Sequence, residues 1–424
     1  MTGVQTCALP IFLEDLDHEK TGWRIQLAKD IKKYNPELSS DFITTTVQLI
    51  LDRFVFIKVL SDREIEDDFL SQIINEIDKA SLKSDEGILN ESCREIFERM
   101  DKTYNGSVFE KRPELDIAKL SNKTLHNILK SLQPDNSRYN FKVIPVEILG
   151  TIYEQFLGKV VITTDKQVKI KEKPDVKKAG GVYYTPQYIV DYIVENTVGA
   201  KLKQCKSIND LFNIKICDPA CGSGSFLLGA YEKLIQWCLE YFHKKVENNK
   251  ITKKEEKLIY FTSDNDIRLT SKLKREILLN CIHGVDIDKQ AVEVTKLSLS
   301  LKALEETSHD ELYNEVTLFH ESVLPDLYYN IICGNSLVGT EIYSLFKNIT
   351  DDEEKSINPF DWNSEGTYNK KRDKYIGRGF PEIINNGGFD IIIGNPPYRR
   401  EKDFKELLDQ IQQSNLGQKY RAPR

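Results

Sequence analysis

The segment 217–227, CDPACGSGSFL, combines residue types that can bind a small ligand. Gly222 and Gly224 lack a Cβ atom, so the chain can turn tightly there while a ligand approaches its backbone. The helix predicted over 226–241 would present its N-terminal N–H groups at the same place. The spacing fits neither the Gly-x-Gly-x-x-Gly of dinucleotide binders nor a P-loop, and a glycine pair by itself fits any tight strand–helix turn. Asp218 is an acceptor better suited to a cationic group, such as an ammonium, than to a phosphate.

A second acidic segment, 284–288 (GVDID), ends another apolar run. A carboxylate at the tip of a strand can accept both hydroxyl groups of a ribose, as in nucleotide-binding α/β sheets. We assign that role to Asp286, with Ile287 against the face of a purine. Asp288 is better explained as a cap for the helix predicted over 289–304.

A third segment, 394–398 (GNPPY), directly follows the apolar run 389–393. Each proline fixes a backbone torsion and has no N–H group, so carbonyl groups here are rigid acceptors. A planar amino group could donate to the Asn395 side-chain oxygen and the Pro396 carbonyl, with Tyr398 stacked on the attached ring. Such a site suits the exocyclic amine of a base taken out of its stack. By itself, the tetrapeptide is more typical of a proline turn with a capping Asn and a core Tyr.

Taken in chain order, five segments resemble the motif series of amino-DNA methyltransferases of the gamma arrangement. The resemblance covers about residues 140 to 424 and is closest to the adenine-specific enzymes of type II restriction-modification systems, including the fused type IIG enzymes. The segments are 181–186 (GVYYTP), 218–224 (DPACGSG), 286–287 (DI), 333–337 (CGNSL) and 395–398 (NPPY).

The resemblance implies a cofactor, a partner and a role for each matching residue. The cofactor is S-adenosyl-L-methionine, and the partner is double-stranded DNA with a flipped adenine, which receives the methyl group on N6. The implied cofactor-binding residues are Thr185 and Asp218 at the methionine end, Ala220, Gly222 and Gly224 in the turn, Asp286 at the ribose, and Ile287 and Asn335 at the adenine. The implied catalytic residues around the target base are Asn395, Pro396, Pro397 and Tyr398.

After Gly180-Gly181, short apolar runs alternate with helical patterns, which predicts βαβ units and a parallel sheet. The candidate strands are 214–217, 282–287, 331–333 and 389–393. Polar or glycine-rich residues follow each of them, at the edge where open α/β sheets bind ligands. Together with the resemblance, this predicts an α/β fold with an incomplete Rossmann-like methyltransferase sheet and an N-terminal all-α domain.

The predicted domains follow from shifts in composition along the chain. Residues 12–150 read as helical, with an aromatic stripe that we assign to the core. Apolar side chains at helical spacing predict one buried helix from Val47, Ile50, Leu51, Phe54, Ile57 and Val59, and another from Phe69, Ile73, Ile74 and Ile77. Residues 151–180 form a lysine-rich linker whose charge run is typical of a solvated loop, with contact to DNA phosphate as the alternative. The methyltransferase domain spans 181–424, with an inserted loop region over 343–388.

Composition excludes several classes of protein. The net charge is −7, which argues against a histone-like polycation. Charged residues interrupt every apolar run far short of the roughly 18–20 residues of a membrane span. Eight cysteines without a leader pattern are typical of a reducing compartment, so we expect a soluble, cytoplasmic protein. The resemblance to restriction-modification enzymes implies that it comes from a bacterium or archaeon. Cys217 and Cys221 lack a second ligand pair, so no zinc or other metal site is expected.

Both ends of the chain suggest a fragment. Residues 1–11, MTGVQTCALPI, resemble translated sequencing adapter and are excluded from fold reasoning. At the other end the text stops soon after Tyr398, before the remaining strands and the target-recognition domain that such enzymes carry. The run 389–393 would then be a bare apolar edge. No Asp…Glu-x-Lys nuclease site is found, and we expect any nuclease or specificity domain to lie in the full-length protein.

Three other interpretations remain open from the sequence. A type I modification subunit shares the motif order but usually has Phe in place of Tyr398. A protein-glutamine methyltransferase that acts on release factors also uses Asn-Pro-Pro-Tyr, but normally lacks the Asp-Pro-Ala-Cys segment. A third possibility is a fragment that binds cofactor or DNA without activity.

Overall fold

The computed structural model describes residues 15–16, 18, 21–79, 91–104, 108–133, 140–148, 150, 159–163, 167–172, 185–307, 324–340, 357–369 and 374–396. The chain divides into two compact units. The first, the helical unit, comprises Met1–Tyr184, Thr270–Lys272 and Lys296–Pro325. The second, the sheet unit, comprises Thr185–Leu269, Leu273–Thr295 and Asp326–Arg424. Within the described ranges, no helix combines the length and apolar character needed to cross a membrane.

The helical unit is organised around one long helix. Its helices are α1 (Trp23–Tyr34), α2 (Ser40–Asp62), α3 (Phe69–Lys79), α4 (Glu91–Tyr104), α5 (Pro113–Ile117) and α6 (Asn122–Ser131). Helix α2 begins where the Ser39 hydroxyl accepts the Phe42 N–H at 3.2 Å. Its residues from Val47 to Leu60 are buried on every side, which identifies α2 as the central helix of the unit.

Aromatic side chains fill the core between α2 and its neighbours. The ring of Phe56 makes edge contacts with Tyr104 at 5.7 Å and with Phe109 at 5.3 Å between centroids. Phe54 and Phe56 are fully buried. The prediction that the aromatic stripe is core is therefore confirmed. The helix predicted from the spacing of Phe69, Ile73 and Ile77 is also present, as α3.

A β-hairpin packs against α2 and corrects the prediction of a solvated lysine-rich loop for the residues described there. Strands β1 (Lys159–Thr163) and β2 (Val168–Glu172) pair antiparallel. In β2 the half-buried Val168 and Ile170 alternate with exposed lysines, which is the two-residue period of a strand. Hydroxyl groups of α2 satisfy the outer edge of β1, because Thr44 accepts the Val161 N–H and Ser40 accepts the Thr163 N–H. The unit is helical, but it is not all-α.

The sheet unit and the segments that join it contain the remaining elements. The strands are β3 (Ile216–Asp218), β4 (Ile259–Phe261), β5 (Ile267–Leu269), β6 (Ile282–Asp286), β7 (Ile331–Cys333), β8 (Thr367–Asn369), β9 (Lys374–Ile376) and β10 (Ile391–Ile392). The helices are α7 (Gln187–Val194), α8 (Ala200–Leu202), α9 (Ile208–Phe212), α10 (Ser225–Glu247), α11 (Ser271–Cys281), α12 (Lys289–Ala303) and α13 (Pro381–Asn385). A π-helical turn, Glu195–Gly199, joins α7 to α8.

Four of these strands form a parallel sheet in the order β10-β3-β6-β7. Ile391 pairs with Ile216, Ile216 with Ile282, and Gly284 with Ile331. The four predicted strands are therefore present, with ends that differ by one or two residues. Strands β4–β5 and β8–β9 form separate antiparallel pairs.

The described part of the predicted loop region 343–388 contains a short helix, short strands and a buried aromatic cluster. Phe360 and Phe380 are buried against Val285 of β6, with Trp362 and Phe389 beside them. The Trp362 indole N–H donates to the Ser336 carbonyl at 3.0 Å. The acidic run 351–354 lies outside the described residues. Aromatic residues without regular spacing carry no secondary-structure signal, so sequence reasoning could not find this cluster.

The contribution of a buried cation to the stability of the helical unit can be tested at Arg53, which is only 3% exposed. It donates from Nε to the Val108 carbonyl at 2.9 Å and from Nη2 to the Glu110 carbonyl at 2.7 Å, and it lies 4.8 Å from the Phe97 ring centroid. Burial, aided by the nearby Arg112 charge, lowers the pKa of Arg53 to about 10.

We expect Arg53→Ala to lower the free energy of unfolding by about 3–5 kcal/mol, because it leaves a cavity and two carbonyl groups without donors. Urea denaturation measures the change. The control is Lys111→Ala, which removes an exposed cation 3.2 Å from Glu98 and should cost less than about 1 kcal/mol. Equal effects of the two substitutions would contradict the prediction.

Candidate functional site

The parallel sheet has a switch point, and the loops that follow its strands meet at the carboxyl edge there. From β3, the chain order proceeds to β6 and β7 on one side, whereas β10 lies on the other side. The order therefore reverses between β3 and β10. Open α/β sheets bind ligands at such a switch point, because the loops that leave the two central strands diverge there.

The loop after β3 is a tight turn held by backbone hydrogen bonds. The Ala220 N–H donates to Asp218 Oδ1 at 3.0 Å, and the Gly224 N–H donates to the Cys221 carbonyl at 2.8 Å. Gly222 and Gly224 have φ angles of +53° and +85°, which favour glycine. Helix α10 begins immediately after this turn, as predicted. Among the described residues, no heavy atom lies within 4 Å of the position that a Cβ of Gly222 would occupy, so these residues leave that side of the turn open.

Asp286, at the end of β6, ties two loops together. Its Oδ2 accepts the Gly222 N–H at 2.8 Å, and its Oδ1 accepts the Asp288 N–H at 2.8 Å. A carboxylate has about four lone-pair positions, more than these two hydrogen bonds use. Asp288 in turn accepts the Gln290 N–H at 2.8 Å, which confirms that it caps helix α12.

Thr295 is a contributor to this site that sequence reasoning missed. Its hydroxyl donates to the Gly222 carbonyl at 2.7 Å, and its side chain is fully buried. A Cβ on Gly224 would lie 2.8 Å from Thr295 Cγ2, so only glycine fits there without a shift. A threonine in the middle of an amphipathic helix has no sequence feature that would distinguish it from a core residue.

Asp218 is a buried carboxyl group, with 1% of the residue exposed. Burial, together with the negative charge of Asp286, raises the pKa of Asp218 to about 7, although the Ala220 N–H opposes the rise. Strand β10 runs close beside this carboxyl. A Cβ on Gly394 would lie 2.6 Å from Asp218 Oδ1, so glycine is required for this close approach.

Asn395 follows directly, and its side chain reaches another predicted site residue. Asn395 Nδ2 donates to the Thr185 hydroxyl at 3.1 Å. Asn395 and Pro396 are exposed, whereas Thr185 is half-buried. Pro397 and Tyr398 lie outside the described residues, so the predicted stacking by Tyr398 stays a prediction. The structure thus brings together Thr185 and Asn395, which the sequence separates by 210 positions.

The two residues predicted to contact a purine differ in their surroundings. Ile287 is 49% exposed at the end of β6, as an apolar contact for a ligand would require. Asn335 is only 7% exposed, and its Oδ1 accepts the Leu337 N–H at 3.2 Å. The Asn335 N–H also donates to the Asn358 carbonyl at 2.6 Å. In this structure Asn335 holds the turn after β7.

The cysteines of this region are buried thiols rather than nucleophiles. Cys217 and Cys221 are free, and burial raises the pKa of both thiols above the ordinary value. A thiol that resists ionisation is a poor nucleophile and a poor metal ligand. Cys221 lies against β6, where a Cβ on Gly284 would lie 3.1 Å from its sulfur. The ranges that the structure describes contain no group of three or more His, Cys, Asp or Glu residues placed to hold a metal ion.

These features define a mixed α/β protein that has a parallel sheet with a switch point between β3 and β10. A family model described as the Eco57I restriction-modification methylase matches residues 280–423. The chain is a relative of the Eco57I-type restriction-modification methylases.

Individual relatives extend the similarity to most of the chain. The type II restriction enzyme and methyltransferase RM.Eco57I of Escherichia coli is 29% identical over 389 residues, which cover 91% of this chain and 33% of that protein. The adenine-specific methyltransferase PglX of Streptomyces coelicolor is 24% identical over 229 residues, covering 54% and 15%. This chain therefore spans about one third or less of the length of these relatives.

One solved structure with a similar arrangement is the Type IIL restriction-modification enzyme MmeI in complex with DNA. It superposes with a TM-score of 0.43 at 15% sequence identity, over 74% of this chain and 40% of that one.

The buried Asp218 carboxyl predicts a measurable pH dependence of stability. Its pKa is about 7 in the folded chain, against 3.8 as the ordinary value. The folded state therefore keeps a proton that the unfolded state releases, and the stabilisation present below about pH 4 is lost as pH rises through about 7. We expect Asp218→Asn, which cannot ionise, to be more stable than the wild type by about 2–4 kcal/mol at pH 8 and to differ little at pH 4.

Urea denaturation between pH 4 and 8 measures this difference. The matched control is Asp264→Asn, which removes an exposed carboxyl from the same unit. Its free energy of unfolding should depend on pH in the same way as that of the wild type. A constant difference between Asp218→Asn and the wild type at every pH would refute the assignment.

Proposed function

We propose that this chain forms the cofactor-binding and catalytic part of a DNA methyltransferase specific for adenine N6, within a restriction-modification or phage-defence system. The observation that carries the proposal is the meeting of Asn395 with Thr185 beside the crevice bounded by Asp218 and Asp286. The relation to RM.Eco57I and PglX supports the same activity class.

The residues at the crevice fit S-adenosyl-L-methionine. That molecule combines a cationic methionine end, a ribose with two adjacent hydroxyl groups, and a purine. A carboxyl group whose pKa is raised by burial, as in Asp218, gains from a cation placed beside it. Asp286 offers carboxylate oxygens as acceptors for hydroxyl groups at the end of β6, and the exposed Ile287 offers an apolar surface to a ring. The open side of Gly222 leaves room for the ligand to approach the backbone.

When bound, S-adenosyl-L-methionine supplies an electrophilic methyl group on a sulfonium. The chain's own contribution is to hold the acceptor amine in place. In the proposed arrangement, adenine N6–H bonds donate to Asn395 Oδ1 and to the Pro396 carbonyl, and Tyr398 stacks on the base. Two acceptors on the N–H groups favour a tetrahedral nitrogen and expose its lone pair. Methyl transfer would then be direct: the C–N bond would form as the methyl–sulfur bond breaks, the sulfur would leave as a neutral thioether, and N6 would release its extra proton to solvent. Catalysis would arise from positioning and electrostatics, without a cysteine nucleophile.

The proposed partner is double-stranded DNA with its target adenine flipped out of the helix. A base inside a duplex cannot bring its amine to a crevice formed by loops, so the enzyme must extrude it. We further propose that recognition of the DNA sequence, and any restriction activity, belong to parts of the protein that correspond to the remaining length of its relatives.

Cofactor binding tests the first half of the proposal on this chain alone. We expect Asp286→Asn to weaken S-adenosyl-L-methionine binding by at least about tenfold. The new amide would place an N–H group against either the Gly222 or the Asp288 N–H, and it would weaken the contact with the ribose. Isothermal titration calorimetry measures the dissociation constants. Asp264→Asn serves as the exposed control, and unchanged binding by Asp286→Asn would exclude the proposed ribose site.

Methyl transfer tests the second half. With protein expressed from the complete reading frame, tritiated S-adenosyl-L-methionine should label adenine N6 in mixed duplex DNA. We expect Asn395→Ala to reduce kcat by about 10²–10³-fold, the scale observed when one catalytic hydrogen bond to the reacting group is removed, while cofactor binding stays within threefold of the wild type.

Parallel assays separate the alternatives. Release-factor protein replaces DNA in one assay, because a protein-glutamine methyltransferase would label it instead. Cytosine and adenine are quantified separately after digestion of the DNA. Absence of label in adenine, with the cofactor bound, would disprove the proposed activity.

A further inference from the structure

The hydrogen bond between Asn395 and Thr185 determines how the Asn395 carboxamide is oriented. A carboxamide has a donor end and an acceptor end. Because Nδ2 donates to the Thr185 hydroxyl at 3.1 Å, Oδ1 remains as the end that a ligand can use. Asn395 is exposed, so packing does not fix its rotamer, and the hydrogen bond takes over that task.

We propose that Thr185 is a positioning residue that holds the Asn395 oxygen toward the reacting group, and that it thereby restricts the site to substrates that donate a hydrogen bond, such as a primary amine. The inference rests on the proposed function and deepens it. It also gives Thr185 a role other than binding the methionine end of the cofactor. A reversed carboxamide would present N–H groups to the amine, so two donors would face each other.

Thr185 is anchored well enough to act as such a reference point. It directly precedes Pro186, the N-cap of helix α7. This helix buries Val190 and Val194, and a Cβ on Gly229 of α10 would lie 2.9 Å from Val190 Cγ1. Helix α10 begins at the turn after β3, and β3 pairs with β10. Thr185 is therefore connected through α7 and α10 to the strand beside β10.

A second link joins the same two segments at their other ends. Lys201, in α8, donates to Asp390 at 2.9 Å, just before β10. Asp390 also accepts the Lys215 N–H at 2.9 Å, just before β3. The segment 185–202 is therefore bridged to the β10 segment both before and after that strand. The Lys201–Asp390 link is independent of the Thr185–Asn395 bond, and it ties this helical segment to the residue just before β10.

Thr185→Val tests the inference, because valine keeps the shape of threonine and removes the acceptor. Loss of one hydrogen bond at an exposed site should reduce kcat for methyl transfer by about fivefold to tenfold. The KM for DNA and the dissociation constant for the cofactor should change less than twofold. Thr185→Ser should recover most of the wild-type kcat. In an Asn395→Ala background, Thr185→Val should cause no additional loss, because the group it positions is absent.

The matched control is Thr197→Val, the same exchange in the same helical segment. Thr197 donates to the Ile193 carbonyl at 2.7 Å, within the helix. Its kcat should equal that of the wild type. A proportional loss of cofactor affinity in Thr185→Val would overturn the inference, since the hydroxyl would then act on the cofactor. An unchanged kcat would overturn it as well.

A spectroscopic measurement keeps this test separate from the proposed function. In protein with ¹⁵N-labelled asparagine, the side-chain amide resonance of Asn395 is identified by its loss in Asn395→Ala. We expect Thr185→Val to shift that resonance and Thr197→Val to leave it in place. A wild-type protein without methyl transfer would reject the proposed function. An Asn395 resonance that does not respond to Thr185→Val would reject the inference, whatever the activity.

Discussion

The two hydrogen bonds accepted by Asp286 are the interaction on which the crevice depends. They join the turn after β3 to the turn after β6, at 2.8 Å each. Loops at the end of a parallel sheet have no strand neighbours to order them, so a side chain that accepts from both gives them one geometry. Thr295 adds a third restraint through the Gly222 carbonyl. The surface at this edge of the sheet is thus assembled from backbone groups whose directions are set by side chains from elsewhere in the fold.

The same arrangement creates an unfavourable charge distribution. Asp218 lies in the interior, near the Asp286 charge, and its pKa rises for that reason. Two carboxyl groups at one crevice repel each other, and the repulsion is relieved when a cation binds or when one group takes up a proton. Functional sites often contain such unfavourable electrostatic interactions, because a ligand of opposite charge gains binding free energy when it relieves them.

The polar end of the crevice is built on a different principle. Asn395 and Thr185 are at least partly exposed, so their hydrogen bond contributes little to folding. Its position is determined by stronger packing at a distance, through the contact of Val190 and Val194 of α7 with α10 and through the pairing of β10 with β3. The rigid elements therefore position the Asn395 and Thr185 side chains, and substitution of either side chain should leave the core packing unchanged.

Much of this arrangement could be predicted from the sequence. Apolar runs gave four strands, helical spacing gave α2, α3 and α10, and a carboxylate or amide at each strand end indicated a shared ligand edge, because parallel strands end at one edge. The charge run that contains strand β2 is typical of a solvated loop, although its apolar residues alternate with lysines at the two-residue period of a strand. Thr295, the aromatic cluster around Phe380 and the Thr185–Asn395 bond had no local signal. Periodicity and turn chemistry act over a few residues, so the sequence by itself determines the local elements. Contacts between residues far apart in the chain exist only after the elements have packed, and the tertiary structure alone decided those contacts.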